Sequence, residues 1–193
     1  PTTHERLLRD VTPAHFSEHY QPTRIKDVIV LAPYTSRSVQ AAVAACKFEK
    51  NQHAATLLAT LIAKWLVTHP VALTIIIPLP LSRARERERG FNQVLRVLEH
   101  IPSQYTVDIK TNWLIRTRDT ARQTSLGRKD RLQNMNDAFT VSTYIAFVDW
   151  NQVNRIIICD DVVTTGATLA AAHTALAAHV PKHVPIVCLA WAH

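Results

Sequence analysis

The sequence predicts an α/β protein with a doubly wound, mainly parallel sheet that is flanked by helices. Apolar β-branched runs alternate with helical patterns along the chain, which implies parallel strands joined by right-handed crossovers. The 193 residues suit a single domain. A hydrophobic content of 47% with 19% charged residues is typical of a globular protein. We therefore divide the chain into a lead-in at residues 1–26 and one domain at residues 27–193.

The lead-in shows no clear periodicity, and we expect one short helix at most. Pro13 and Pro22 leave little room for a helix across His15 and His19, so these histidines form no convincing metal pattern. The elements that follow have clear boundary signals. In order, they are a strand at 27–33, a helix from an N-cap at Ser36 to about Phe48, a helix at 53–68, and a strand at 71–77 that ends at Pro78 and Pro80.

The second half of the chain continues the alternation. We predict a helix at 91–101 and extended segments at 106–109 and 113–116, followed by a polar, arginine-rich stretch to about residue 136. A strand at 155–159, a helix at 167–178 and a strand at 184–190 complete the domain. In such sheets ligands bind beyond the carboxyl ends of the strands, which directs attention to the residues that follow 77 and 159.

The charge of the chain favours anionic partners. The net charge is +7, and ten of the fifteen arginines lie between Arg83 and Arg131. This concentration is compatible with binding of pyrophosphate, of nucleic acid, or of both. Aromatic residues make up only 7% of the sequence and are not interleaved with the arginines along the chain. Because stacking platforms supply part of single-strand binding, this separation argues against direct DNA binding.

Several other classes of protein are disfavoured. Cys46, Cys159 and Cys188 are far apart and form no C-x-x-C pair, so we expect neither a disulfide framework nor a zinc site. We expect Cys159 and Cys188 to be small buried hydrophobes. No apolar run approaches the ~20 residues needed to span a membrane. The polar N-terminus shows no secretion signal, and we therefore expect a cytoplasmic protein.

The segment at 156–169 is the most informative in the chain. A β-branched run ends in two carboxylates, Asp160 and Asp161, which are suited to accept hydrogen bonds from ribose hydroxyls. A hydroxyl-rich loop and an alanine-rich helix follow, and a helix N-terminus attracts phosphate. The candidate phosphate-binding residues are Val162, Val163, Thr164, Thr165, Gly166, Ala167 and Thr168. The plainer interpretation, an acid that caps a helix, explains one carboxylate but not this whole order of residues.

Two further segments carry candidate site residues, and each has a structural alternative. The residues after the strand at 71–77 are candidates for diphosphate binding: Leu79, Pro80, Leu81, Ser82 and Arg83. Locally, however, Pro-x-Pro is an ordinary strand terminator, and the Arg-Glu repeat that follows is typical of a solvated helix face. The polar stretch after 116 is either a binding loop or an exposed helix. Its candidate residues are Arg116, Arg118, Thr120, Gln123, Arg128 and Arg131.

The segment at 156–169 resembles the phosphoribosyl pyrophosphate (PRPP) signature of the type I phosphoribosyltransferases. The order of segments from about Tyr34 to the C-terminus resembles, more specifically, the ComF family of phosphoribosyltransferase-like proteins associated with natural competence and DNA uptake. This likeness depends on Lys47-Phe48 and on two blocks that separate ComF from salvage enzymes. One is the Thr…Gln…Arg…Asn series in the polar stretch after 116, and the other lies after the strand at 71–77. That block is Arg89, Gly90, Phe91, Asn92 and Gln93. Many ComF proteins carry a cysteine-rich zinc module at the N-terminus, and this chain has none.

The resemblance implies a type I phosphoribosyltransferase fold that binds PRPP with Mg²⁺ and without zinc. Asp160 and Asp161 would hold the ribose, residues 162–168 the 5′-phosphate, and residues 79–83 the pyrophosphate. Arg116 would act at the leaving group, with residues 118–131 as a flexible loop. No residue is assigned as a direct metal ligand, because Mg²⁺ would be held mainly through the substrate.

The acceptor of a transfer reaction is not identified by any segment. The sequence therefore leaves open a phosphoribosyltransferase, a non-catalytic sensor of PRPP or nucleotides, and a competence factor that handles single-stranded DNA. Candidate partners are PRPP or a related sugar phosphate, single-stranded DNA and competence proteins, with no membrane span. The oligomeric state stays open.

Overall fold

The computed structural model describes residues 2–117 and 138–193. The strands are β1 Thr23–Ile25, β2 Val28–Ala32, β3 Thr74–Pro78, β4 Val107–Ile109, β5 Leu114–Arg116, β6 Phe139–Val141, β7 Arg155–Val162 and β8 Ile186–Ala192. The helices are α1 Thr3–Leu8, α2 Pro13–His19, α3 Arg37–Phe48, α4 Gln52–Thr68, α5 Arg83–Arg89, α6 Gln93–Leu98 and α7 Ala167–Ala177, with a 3₁₀-helix at Thr143–Phe147.

The predicted fold class is confirmed. Six strands form one sheet in the order β1-β2-β8-β7-β3-β4, in which every neighbouring pair is parallel except the antiparallel pair β1–β2 at one edge. Strands β5 and β6 form a separate antiparallel ribbon. This mostly parallel sheet between helices is consistent with a type I phosphoribosyltransferase-like fold. In the described part of the chain, no helix is both long enough and apolar enough to cross a membrane.

The sheet buries an apolar cluster on each face. Ile157 and Cys159 of β7 face a cluster built mainly from α3, α4 and α6. Ile156 and Ile158, which alternate with them, face a second cluster that includes α7 and the β5–β6 ribbon. Strand β7 lies between β3 and β8 and is buried on both faces, which explains its continuous β-branched run. Cys159 and Cys188 are buried and unbridged, as expected for small hydrophobes.

The lead-in differs from the expectation of at most one short helix. It forms two helices and strand β1, and its residues Leu8 and Phe16 are each 1% exposed in the core. Pro13 does not prevent helix α2. It occupies the first turn, where a missing N–H costs nothing, and the Thr12 hydroxyl accepts a hydrogen bond from the His15 N–H. Helices α1 and α2 are therefore anchored to the domain by Leu8 and Phe16.

Strand β7 is longer than predicted, and this affects the site. It continues to Val162 because Asp160 and Val162 still pair with Ala190 and Ala192 of β8. The two acids therefore lie within the strand and not in the loop after it. Since successive side chains of a strand point to opposite faces, the carboxylates of Asp160 and Asp161 leave the strand in opposite directions.

Candidate functional site

The candidate site lies at the carboxyl ends of β3 and β7, which are neighbours in the sheet. Pro78 pairs with Cys159, and the Leu79 N–H donates to the Cys159 carbonyl over 2.8 Å. This pairing places the predicted diphosphate loop directly beside the acid pair. Two segments that are about eighty residues apart in the chain thus lie side by side where the parallel strands have their carboxyl ends.

Asp161 is held by hydrogen bonds and an ion pair on the α3/α6 face. Its Oδ2 lies 2.9 Å from the Lys47 ammonium and accepts a 2.6 Å hydrogen bond from the Gln93 side-chain amide. Its Oδ1 accepts a hydrogen bond from the Val162 N–H. The residue is buried, so these partners compensate for the loss of water around the charge. Both oxygens of Asp161 are therefore engaged within the protein.

Asp160 makes fewer contacts within the protein than Asp161 does. It is half-buried, its Oδ1 accepts from the Asp161 N–H, and in the described residues no cation lies within ion-pair distance of it. Burial and the adjacent Asp161 charge raise the pKa of Asp160 to about 7, while Lys47 and Arg85 act in the opposite direction. Asp160 therefore keeps acceptor capacity for a ligand. Perturbed pKa values of this kind are frequent at functional sites.

The block at 89–93 supports both strand ends. The Asn92 side-chain amide donates to the Leu79 carbonyl over 3.0 Å, while its Oδ1 accepts from two N–H groups at the start of α6. Gly90 ends α5 in the left-handed conformation at φ 72°, which a residue with a Cβ adopts only at a cost. Gln93 holds Asp161, as described. The block thus connects the diphosphate loop to the acid pair.

The diphosphate loop is only partly available to a ligand. Leu79 is buried, and its N–H and carbonyl are both used within the protein. The Ser82 hydroxyl accepts from the Arg85 N–H at the start of α5. The part of the loop that can face a diphosphate therefore begins at Leu81 and includes the exposed Arg83.

Arg116 lies beside this loop. Its Nη1 donates to the Pro80 carbonyl over 3.5 Å, and its guanidinium lies 5.6 Å from the centre of the Phe139 ring. Arg116 therefore bridges the β5–β6 ribbon and the residues after β3. The predicted loop residues Arg118, Thr120, Gln123, Arg128 and Arg131 lie outside the described residues.

The candidate phosphate loop joins β7 to α7. Gly166 is the N-cap of α7 at φ 76° and offers no side chain, and the Thr165 hydroxyl accepts a 3.4 Å hydrogen bond from the Ala167 N–H. Thr164 and Thr165 are exposed, with Ala167 and Thr168 half-buried behind them. The other N–H groups of this first turn are donors for an anion, and the flanking hydroxyls add more. The side chains of Val162 and Val163 pack into the core on either face.

Three cations near the site were not assigned roles from the sequence. Lys26 lies in the β1–β2 turn at φ 53° and donates to the Thr165 carbonyl over 3.2 Å. Lys47 pairs with Asp161, and the charge of Arg85 acts on Asp160. Lys47 has one sequence signal, its place in the ComF-like series. For Lys26 and Arg85 no local pattern distinguishes them from other surface cations, because only the fold brings them close.

The side chains at the site can be compared with the ligands that a metal ion requires. In the described ranges, no three His, Cys, Asp or Glu side chains are close enough to hold one. Asp160 offers one carboxylate. A single carboxylate together with substrate phosphates and water is a set that Mg²⁺ commonly uses. The residues present thus fit a magnesium ion that arrives with a phosphorylated substrate.

The chain is similar over part of its length to curated proteins. No family model matches the chain. The chain is 34% identical over 105 residues to Competence protein F of Haemophilus influenzae, which is 53% of this chain and 44% of that protein. It is 32% identical over 114 residues to DNA utilization protein YhgH of Escherichia coli O157:H7, covering 59% of this chain and 48% of that protein. The chain therefore spans about half the length of the curated relatives it matches.

Proposed function

We propose that this chain, a relative of the ComF proteins, binds PRPP with Mg²⁺ and transfers its phosphoribosyl group to an acceptor with release of pyrophosphate. One observation carries the proposal. A carboxylate with acceptor capacity, the glycine-capped N-terminus of α7 and the loop after the neighbouring strand lie together at the carboxyl ends of the strands. These are the groups that the ribose, the 5′-phosphate and the diphosphate of PRPP require.

Each part of the ligand has a partner in this arrangement. Asp160 accepts hydrogen bonds from the ribose hydroxyls, because Asp161 is already engaged by Lys47 and Gln93. The N–H groups and hydroxyls of residues 164–168 hold the 5′-phosphate, with the Lys26 ammonium nearby. The diphosphate faces residues 81–83. When bound, Mg²⁺ neutralises charge on the diphosphate oxygens.

The reaction is a displacement at C1 of the ribose. The bond from C1 to the diphosphate oxygen breaks with its electron pair leaving on pyrophosphate, and the acceptor forms a new bond to C1. Since the sugar becomes cation-like as this bond breaks, electrostatic control by fixed charges dominates. Asp160 fixes the sugar while Arg116 approaches the leaving group from the Pro80 side.

The biological context follows from the names of the relatives. Competence protein F and DNA utilization protein YhgH point to the uptake or use of DNA. We propose such a role for this chain. A second candidate function is a non-catalytic sensor of PRPP or nucleotides. It is favoured by one observation: Asp161 is engaged by Lys47, Gln93 and the Val162 N–H, so of the acid pair only Asp160 is open to a ligand, and the ribose occupies it.

Pyrophosphate release distinguishes the two candidates. PRPP and Mg²⁺ are incubated with the protein and a panel of purines, pyrimidines and small amines, and released pyrophosphate is measured. Release that depends on one class of acceptor supports the transferase. Saturable PRPP binding without release over the whole panel favours the sensor, and absence of PRPP binding contradicts both.

Proton release provides a test of the role of Asp160. Because burial and the adjacent Asp161 charge raise its pKa to about 7, Asp160 is partly protonated near neutral pH. Ribose hydroxyl donors and a nearby metal ion both favour the carboxylate, so binding should release a fraction of a proton at pH 7 and less at pH 8. Calorimetry in buffers with different ionisation enthalpies measures this number. Equal proton release at pH 7 and pH 8 would contradict the assignment.

A further inference from the structure

Two consecutive residues at the start of α6, Asn92 and Gln93, contact different halves of the candidate site. The Asn92 side-chain amide donates to the Leu79 carbonyl just after β3, and the Gln93 side-chain amide donates to Oδ2 of Asp161 in β7. One peptide unit therefore separates the contact to the diphosphate loop from the contact to the acid pair.

The Asn92 contact fixes the point at which the diphosphate loop leaves the sheet. The Leu79 side chain is buried, its N–H donates to the Cys159 carbonyl over 2.8 Å, and its carbonyl accepts from Asn92 over 3.0 Å. At the other end of the loop, Ser82 is held as the N-cap of α5. Without the Asn92 donor, the Leu79 carbonyl would be free to turn, and the loop would have to be ordered when a ligand binds.

The Gln93 contact fixes the acid pair at a cost to the fold. Gln93 is only 3% exposed, and its Nε2 lies 2.6 Å from Asp161 Oδ2, but its Oε1 is buried without a hydrogen-bond partner in the described part of the chain. A buried acceptor without a partner is unfavourable, so packing alone would favour an apolar side chain here. The Asp161 N–H in turn donates to Asp160 Oδ1. Gln93 therefore acts on Asp160 through Asp161.

We infer that Asn92 and Gln93 are positioning residues for the two halves of one ligand. Asn92 fixes the loop that faces the diphosphate, and Gln93 fixes the acids that face the ribose. The inference rests on the proposed function and adds a source of specificity to it. Because the two contacts come from consecutive residues, covalent geometry sets the separation between the half-sites. A sugar phosphate that carries its diphosphate on the same molecule uses both contacts, whereas either half alone uses one.

The test compares three ligands in isothermal titrations with excess Mg²⁺: PRPP, inorganic pyrophosphate and ribose 5-phosphate. Asn92→Ser keeps an N-cap oxygen for α6, but the shorter side chain does not reach the Leu79 carbonyl. Gln93→Met has a similar length and no amide donor. Asn51→Ser is the matched control, because Asn51 caps α4 in the same way and, in the described residues, its side chain bonds only within that first turn.

Asn92→Ser is expected to weaken pyrophosphate and PRPP binding by about five- to tenfold and to leave ribose 5-phosphate binding unchanged, since only the diphosphate loop has lost a hydrogen bond. Gln93→Met is expected to weaken ribose 5-phosphate and PRPP binding by a similar factor and to leave pyrophosphate binding unchanged. Asn51→Ser should bind all three ligands as the wild type does. The Tm of both serine variants should stay close to that of the wild type, because serine is as good an N-cap as asparagine.

A merely structural role would not separate the two halves of the ligand. Equal weakening of all three ligands in Asn92→Ser or Gln93→Met would overturn the inference, as would equal effects of Asn92→Ser and Asn51→Ser. Undiminished pyrophosphate binding in Asn92→Ser would also contradict it. In each of these cases PRPP binding by the wild type would leave the proposed function standing, whereas a wild type that binds none of the three ligands would overturn both.

Discussion

Asp160→Asn is expected to weaken binding of Mg²⁺–PRPP by at least about 30-fold, equivalent to about 2 kcal/mol, while making the free protein more stable above pH 7. Binding weakens because an amide replaces a charged acceptor with a neutral one and also presents donors to the ribose. Stability rises because the folded protein keeps Asp160 where its ionised form is unfavourable. A residue whose replacement weakens ligand binding but stabilises the free protein is retained for its ligand and not for the fold.

The sign of the stability change follows from proton linkage. The pKa of Asp160 is raised from 3.8 to about 7, so between these values the folded state binds a proton that the unfolded state has released. The contribution of Asp160 to stability therefore falls as the pH rises from about 4 to about 7, and it is lowest above 7. Partial exposure screens the effect, and we expect a gain of about 1–2 kcal/mol at pH 8 and none at pH 4.

The measurement is urea denaturation of the wild type and Asp160→Asn at both pH values, together with calorimetric titration of PRPP. Asp149→Asn is the matched control, since Asp149 lies after the 3₁₀-helix, is exposed, and bonds only to its own loop. It should change neither quantity. Undiminished PRPP binding in Asp160→Asn would show that Asp160 does not hold the ligand.

Lys47→Met is expected to destabilise the protein by about 3 kcal/mol and to lower the Tm by about 6–12 °C. The cause is that Asp161 would remain buried and charged with only the Gln93 amide and the Val162 N–H as partners. Removal of one member of a largely buried ion pair costs more than the pair contributes, because the other charge is left without compensation. Thermal unfolding at pH 7.5 gives the Tm directly.

Two controls make this result specific. In Lys47→Met/Asp161→Asn the uncompensated charge is gone, so the double variant should recover at least half of the lost stability. Lys110→Met removes a pair of similar length, 2.8 Å to Asp108, but that pair is partly exposed to solvent and its loss should cost less than about 0.5 kcal/mol. Equal losses in Lys47→Met and Lys110→Met would contradict the structural role given to Lys47.

The sequence predicts an element well where the residues of that element alone indicate its type and its ends. The β-branched run before Asp160, the glycine that opens α7 and the Ser36 N-cap position all agree with the structure. The sequence predicts an end of β7 that is too early, because two carboxylates in succession normally mark a loop. Pairing with β8 overrides that local preference and keeps the strand extended through Val162.

The site is predictable as a set of segments but not as a set of contacts. The order of residues from 160 to 168 indicates a sugar-phosphate site, yet it assigns Asp160 and Asp161 the same role. Their roles separate only because Lys47 and Gln93 reach Asp161 from helices distant in sequence. Likewise, Phe48 and Arg89 meet through the packing around α3 and α5, which no sequence pattern encodes.

We propose that PRPP binds where the carboxyl ends of β3 and β7 meet the start of α7. Isothermal titration of PRPP into the wild-type protein with excess Mg²⁺ tests it most directly, with the same titration into Asp160→Asn as the control. We predict saturable binding with one site per chain, dependent on Mg²⁺ and weakened at least about 30-fold in Asp160→Asn. No saturable binding to the folded wild type at millimolar PRPP, or equal affinity in the two proteins, would contradict it.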